Sequence, residues 1–366
     1  MKLRKDKWEK VKLENIFKLK SGNSLPAHKI VSGDFPVYGG NGIVGHHNEF
    51  MVDEPTIVIG RVGEYCGSIH LSVRKSWITD NGLYPVEYFK EIDTRFLKDN
   101  LSFANLNGYA RKTGQPSISQ SSIATVEIPL PPLSEQKQIA ALFQSIETAM
   151  EQMEGQEENL KALQKSLVSG LLSKEPVFGN LLNSKNCSST TFGEIAECDK
   201  KYPQLEKEVT RFVGLEYLEA ENFQLQGWGE IANGTTFTKR FATGDVLFGK
   251  RRAYLKKVAV ADFDGICSGD ILVIRAKAKK MLQGLLPYYI SADAFIQHAV
   301  STSAGSLSPR TKWKDLADLG VSIPDLKTQE KILKVLQQLD NTVNQLKQQK
   351  TTLKHLKQKL LNEILG

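Results

Sequence analysis

Apolar residues recur at every seventh position over two stretches, Ile139, Ile146, Met153, Leu160 and Leu167, then Ile332, Leu339, Leu346, Leu353 and Leu360. Between them fall Leu142, Ala149, Gln156, Leu163 and Gly170 in the first, and Val335, Thr342, Gln349, Leu356 and Glu363 in the second. Apolar a positions with mixed d positions, sustained over several heptads, predict a coiled-coil seam. Helices over 134–173 and 327–366 would each extend roughly 60 Å at about 1.5 Å per residue. The two stretches align without a gap at an offset of 193, Leu133 onto Leu326, with identities at Gln136, Ile139, Gln152, Gln156, Leu160, Lys161, Leu163, Leu167 and Leu172. Upstream, TIVIGRVGEYCGSIHLS from Thr56 resembles DVLFGKRRAYLKKVAVA from Asp245, with Gly60 on Gly249 and Tyr65 on Tyr254. The chain therefore reads as an internal duplication. It comprises a variable module over 1–133, a helix over 134–173, a linker over 174–190, a second variable module over 191–326 and a second helix over 327–366.

The modules read as mixed α/β. β-Branched runs bounded by Gly or Asp predict strands at Thr56–Ile59, Ser68–Ser72, Asp245–Phe248, Lys256–Ala261 and Asp270–Ile274. Helices are expected over Thr94–Ala104 and Leu282–Ala299, and a loop over the Gly and Asn cluster from Gly39 to Gly45. Pro176 and Gly179 cannot prolong the first long helix, which makes the following segment a linker. The fold class is α+β: two mixed modules in a repeat, joined by two long helices.

Charge tells the two helices apart. Residues 134–173 carry six acidic side chains and three lysines, net −3, while 327–366 carry eight lysines against three acids, net +5. Opposite charges favour pairing within one chain over self-association of either helix. Glu157, Lys350 and Lys357 at e positions suit an antiparallel hairpin, whereas the shared Gln156/Gln349 layer suits a parallel register; the heptads leave direction open. The whole chain has 48 Lys+Arg against 41 Asp+Glu, a net +7 over 366 residues, which permits an anionic partner without requiring one. Cys66, Cys187, Cys198 and Cys267 lie far apart with no C-x-x-C spacing, so no disulfide framework or zinc site is expected. The charged start and the absence of an 18-residue apolar run predict a soluble cytoplasmic protein without a membrane span or signal peptide.

Catalytic motifs do not hold up. GNGIVG at Gly40–Gly45 has G-x-G-x-x-G spacing but lacks a helix after it, and GDVLFGKR at Gly244–Arg251 is one residue short of a P-loop. His46 and His47 are adjacent and have no spaced Cys or His partners. Glu135-Gln136-Lys137 has nuclease-like E-x-K spacing but opens a helix, and the Asn/Asp-Pro-Pro-aromatic signature of amino-methyltransferases does not occur. The chain is expected not to be an enzyme.

Basic clusters with interleaved aromatics remain. Lys239, Arg240, Lys250, Arg251, Arg252, Lys256 and Lys257 bracket one expected hairpin in the second module, with Tyr254 among them. The matching first-module tip is the less basic Arg61-Val62-Gly63-Glu64-Tyr65. A second pair of segments precedes each helix, Arg111, Lys112, Gln115 and Ser117 in one and Ser308, Arg310 and Lys312 in the other. Tyr38 and Asn41 of the Gly-rich segment complete the candidate set. Arginine can clasp phosphate or a guanine edge, Gln and Ser can serve either, and tyrosine can pack on sugar. Two equivalent surfaces with different side chains would read different sequences.

These segments resemble a known family. WEKVKLENIFKLKSG (Trp8–Gly22), PVYGGNGIVG (Pro36–Gly45), TGQPSIS (Thr113–Ser119) and IPLPPLSEQKQIAALF (Ile128–Phe143) look like the DNA specificity subunit of type I restriction-modification systems. Weaker second copies stand at Thr190–Ala196 and Val321–Ile332, where Pro-Leu-Pro-Pro-Leu is degraded to Ile-Pro-Asp-Leu. The resemblance implies that each module is a target recognition domain reading half of a split site on double-stranded DNA. It also implies antiparallel packing of the helices as a spacer, two docked methylation subunits, and translocase-nuclease subunits. S-adenosylmethionine, ATP and magnesium would then belong to those partners, with no cofactor in this chain.

Overall fold

The computed structural model describes residues 3–111, 114–173, 175–182, 186–200 and 208–366. The chain divides into two compact units, Met1–Glu154 with Gln348–Gly366, and Gly155–Lys347. The division passes through both long helices, Leu133–Leu171 and Leu326–Leu365, so each unit owns one module and one end of the helix pair.

In the first unit, the strand Ile57–Gly60 is buried at all four positions and lies inside a four-stranded antiparallel sheet. Its neighbours are Ile69–Leu71 on one side and Gly82–Tyr88 on the other, with Phe17–Ser21 beyond. Near-continuous apolar sequence is what a strand covered on both faces requires. A three-stranded sheet joins Gly42–His47, Phe35–Gly39 and Trp77–Ile78, the last pair parallel. The expected loop at Gly39–Gly45 is thus a tight hairpin, turned at Gly40-Asn41, with Gly42 at φ +85° where a side chain would be strained. The second half of GNGIVG lies within the strand Gly42–His47 and no helix follows it, so no dinucleotide-type turn forms.

The second unit repeats the layout. Ala196–Cys198, Ile271–Ala276, Val246–Gly249 and Val258–Val260 form one four-stranded sheet; Gly229–Glu230, Arg211–Val213, Gly265–Cys267 and Lys239–Phe241 form a second, again with one parallel pair. A two-stranded ribbon carries each module onto its long helix, Glu9–Lys12 with Glu127–Leu130 and Cys187–Thr191 with Gly320–Pro324. Three expectations are corrected here. Lys239 and Arg240 belong to a different sheet from Lys250–Lys257, so one hairpin does not unite them. The helix expected over Leu282–Ala299 breaks at Ala292, whose extended ψ of 142° separates Leu286–Ser291 from Asp293–Ser301. The expected linker contributes Phe178 and Leu182 to the core, and its end, from Cys187, is strand.

The long helices run antiparallel. At one end Ile139, Ala140, Phe143 and Ile146 pack on Leu361, Ile364 and Leu365; at the other, Val168 and Leu171 share a core with Ile332 and Leu336. Cross-helix partners step in opposite senses: Glu147 with Lys357 at 2.5 Å, Glu154 with Lys350 at 2.8 Å, and Gln164 with Asp340 at 2.7 Å. Lys350 and Lys357 therefore meet Glu154 and Glu147, while Glu157 pairs with Lys161 one turn along its own helix.

The repeat extends to the joints. Gln136 and Gln329, both about fully buried, hold equivalent places in the first turn of each helix. Gln136 donates to the Pro131 carbonyl at 2.8 Å and accepts the Asp93 N–H at 2.9 Å. Gln329 donates to the Pro324 and Lys280 carbonyls at 2.9 and 2.8 Å and accepts the Leu282 N–H at 3.0 Å. Each glutamine thereby satisfies main-chain groups that burial would otherwise orphan. A second duplicated device lies one layer on. Glu147 bonds Lys98 of its own module as well as Lys357, and Asp340 bonds the Tyr288 hydroxyl as well as Gln164.

Candidate nucleic-acid interface

Each module brings two distant segments together into one tip. In the first unit, Arg61–Tyr65 follows the buried strand, and Arg111–Ser117 returns beside it. Arg61 N–H donates to the Asn81 carbonyl at 2.9 Å, Gly63 N–H to Pro116 at 2.8 Å, and Ile118 N–H to Arg61 at 2.9 Å. Arg111 and Ser117 exchange two main-chain bonds. In the second unit, Lys250 N–H donates to Asp270 at 2.9 Å, Arg252 N–H to Pro309 at 2.8 Å, and Thr311 N–H to Lys250 at 3.2 Å. Ala304 and Arg310 exchange two bonds in turn. The tips are built on the same main-chain pattern.

Their side chains differ. Arg61 is exposed and reaches Ser21 Oγ and the Asp80 carbonyl at 3.4 Å, Tyr65 is 49% exposed, and Arg111, Gln115 and Asn41 are exposed around it. Ser117 is half-buried, and Lys112 lies outside the described residues. At the second tip Arg251, Arg252, Tyr254 and Arg310 are exposed, with Lys250 and Ser308 half-buried. Lys312 is exposed at the start of the short helix Trp313–Ala317. Arg310 grips Asp270 through Nε at 2.7 Å and Nη2 at 3.1 Å, and Arg251 Nη1 lies 3.3 Å from the same carboxylate. The Arg310 hydrogen bond holds the Asp270 carboxyl below its ordinary range against a smaller opposing effect of burial. Arg252 adopts φ +54° and donates Nη2 to the Leu307 carbonyl at 3.2 Å.

Two candidates are withdrawn from this surface. Tyr38 is 5% exposed in a small core with Val58, Ile78 and Tyr84, and its hydroxyl accepts the Val73 N–H. Lys239 is drawn inward, bonding Asp199 at 2.8 Å and the Ile271 carbonyl at 2.7 Å. Arg240 is exposed, but on the second sheet, where its strand pairs with Gly265–Cys267 and not with the tip segments. Asp270 and Leu307 were not singled out by sequence. Leu307 is 88% exposed at the loop apex, and the offset that places Gly60 on Gly249 also places Asn81 on Asp270, which is the sequence signal for the latter.

A cleft of about 450 Å³ in the first unit, between Tyr38, His70, Lys98, Asp99 and Glu147, holds both charge signs already paired. It offers no uncompensated field for an anion. Among the described residues no group of three or more His, Cys, Asp and Glu is placed to hold a metal ion. No disulfide joins the cysteines among the described residues, and burial pushes Cys267 up to about 12, an unreactive thiol. No described helix is long and apolar enough to cross a membrane.

Residues 5–162 and 185–355 match the family model described as the type I restriction modification DNA specificity domain. The chain belongs to this family. Two matched segments, one per module with its helix, agree with the duplication seen in the fold. Among relatives, the type I restriction enzyme EcoDI specificity subunit of Escherichia coli is 24% identical over 91% of this chain and 81% of its own length. The MjaVIII specificity subunit of Methanocaldococcus jannaschii is 23% identical over 98% of this chain and 92% of its own. The crystal structure of a type I restriction-modification S subunit from M. genitalium superposes with a TM-score of 0.67 at 18% identity, covering 100% of this chain and 98% of that one. A chain from a structure of type I R-M complex assembly and conformational transition gives 0.57 at 15% identity, covering 97% of each. At such identities the likeness to these structures shows a shared fold.

Proposed function

We propose that this chain is the DNA specificity subunit of a type I restriction-modification complex, with each unit reading one half of a split, asymmetric duplex site. The observation that carries the reading is the pair of tips: one main-chain frame, built twice, bearing unlike polar and basic side chains. Identical frames suit two halves of a duplex, and unlike side chains give the halves different sequences. Backbone amides and arginines would hold phosphates, and tip side chains would read base edges. The antiparallel helices act as the spacer that sets the gap between half-sites, and the two glutamine joints fix each module to it. Catalysis is lent by other chains: two methylation subunits bring S-adenosylmethionine and extrude the target adenine. Translocase-nuclease subunits bring ATP and magnesium. The reading carries a cytoplasmic location with it.

Genome-wide methylation mapping with the chain present and deleted tests this directly. A two-part motif that loses its methylation on deletion is the expected result. Persistence of every methylated motif would leave a coiled-coil assembly scaffold without sequence-specific DNA binding as the better account.

A further inference from the structure

We propose that Asp270 is a positioning residue for base recognition by the second unit, holding Arg251 and Arg310 so that the Arg251 guanidinium reads a guanine in one half-site. The inference rests on the specificity reading above. Asp270 opens the strand Ile271–Ala276 after a turn in which its N–H donates to Ser268 Oγ at 3.2 Å, and its side chain is 19% exposed. Its carboxylate takes two nitrogens of Arg310, which fixes that guanidinium plane, and one terminal nitrogen of Arg251. Arg310 is thereby a brace, spent on the carboxylate edge-on. Arg251 is touched at a single nitrogen and its side chain is 43% exposed, so a planar donor edge is presented in a set orientation.

Guanine O6 and N7 are the base-edge acceptors that such a fork matches, and orienting the fork beforehand lowers the entropy lost on contact. One carboxylate against two guanidiniums leaves a net positive charge, so the cluster still attracts a polyanion. The first unit supplies the control. Asn81 stands where Asp270 does and its carbonyl accepts the Arg61 N–H just as Asp270 accepts Lys250. The frame thus needs the carbonyl and not the carboxylate. Val62 and Ser117 occupy the bridge places of Arg251 and Arg310, so the acid is present only where the arginines are. As an exposed ion pair alone the cluster would add little to stability.

The test is methylation mapping by the complex of the full chain with its methylation subunits, wild type against Asp270→Asn and Arg251→Lys. The amide keeps the backbone frame seen in the first unit. The expected result is a wild-type motif with a guanine contact in one half, preference for which falls about tenfold in Asp270→Asn while the other half-site is unchanged. Arg251→Lys keeps the charge but loses the planar fork, and should relax the same base pair. Unchanged discrimination in Asp270→Asn overturns the inference while leaving the specificity reading intact. Should Asp270→Asn give no methylation at all, Arg251→Lys decides: relaxation at one guanine upholds the proposal, and an unchanged motif overturns it. A wild-type map independent of this chain sinks the specificity reading itself.

Discussion

Gly63 and Gly67 at the first tip sit at φ +81° and +83°; at the equivalent places of the second tip Arg252 and Lys256 sit at +54° and +50°. Glycine enters the left-handed region freely, whereas a side chain there costs about 1–2 kcal/mol. The second unit keeps the backbone path and accepts that strain in order to carry two more cations. Lys256 uses its charge internally, on Asp293 at 2.6 Å, while Arg252 remains at the exposed apex. The comparison separates what is held constant from what varies. Main-chain hydrogen bonds define the frame, so side chains at the tip can change without altering it. Backbone strain persisting at such a place is the kind that marks function rather than folding.

The same contrast runs through the helix ends, where the largest mutational effects are expected. Phe143 and Leu336 are equivalent and fully buried. Phe143→Ala should cost about 4 kcal/mol and Leu336→Ala about 3 kcal/mol in denaturant unfolding, from lost burial and the cavity left behind. Losses below about 1 kcal/mol would mean the hairpin ends are not part of each unit's core. Next come the joints. Gln329→Leu removes partners from two carbonyls and an N–H, and Gln136→Leu from one of each, so losses of about 3 and about 2 kcal/mol are expected in that order. Reversal of the order would contradict the hydrogen-bond assignment.

Acid and alkali should then distinguish the ends. Burial raises the Glu147 carboxyl, but hydrogen bonds from Lys357 and Lys98 outweigh it and leave the group below its ordinary range. Its contribution is present above the unfolded carboxylate value and is lost as pH falls through the folded one. Asp99 beside it is raised by burial and works in the opposite sense, so only Glu147→Gln should flatten the acid loss, by about 1 kcal/mol. In the second unit burial and then Asp340 raise the Tyr288 hydroxyl. That stability is full below the unfolded tyrosine value and fades as pH rises past it, so Tyr288→Phe should reduce the alkaline loss. Smallest of all, Arg252→Gly should raise the melting temperature slightly, by relief worth about 1 kcal/mol, while weakening DNA binding. A melting temperature that falls would mean the side chain, not the backbone, is what the fold needs there.

The long helices were legible because a seven-residue period and a gapless duplication are local signals, read without knowing any contact. Their opposite charges gave the pairing, but not its direction: Glu147, Glu154 and Gln164 name their partners only once the chains are laid side by side. The resemblance supplied the antiparallel expectation, and the step-by-step reversal of partners agrees with it. Ala292 breaks its helix without Pro or Gly, while Ile290, Phe295, Ile296 and Ala299 keep a helical apolar rhythm across the gap. Lys239 looked like a tip residue because it adjoins basic sequence; its strand belongs to the other sheet, where Asp199 claims it. Asp270 is not legible by itself in the sequence, because an acid in a basic cluster reads as charge dilution. Its meaning depends on Arg310, 40 residues away, and on Asn81 as its counterpart.

The central claim is that each unit reads its own half of one site. Replacing residues 191–326 with the equivalent segment of another family member, and mapping methylation by the resulting complex, tests it most directly. The account predicts a motif in which one half changes while the other half and the spacing between them stay as they were. A motif altered in both halves, or in neither, would contradict it.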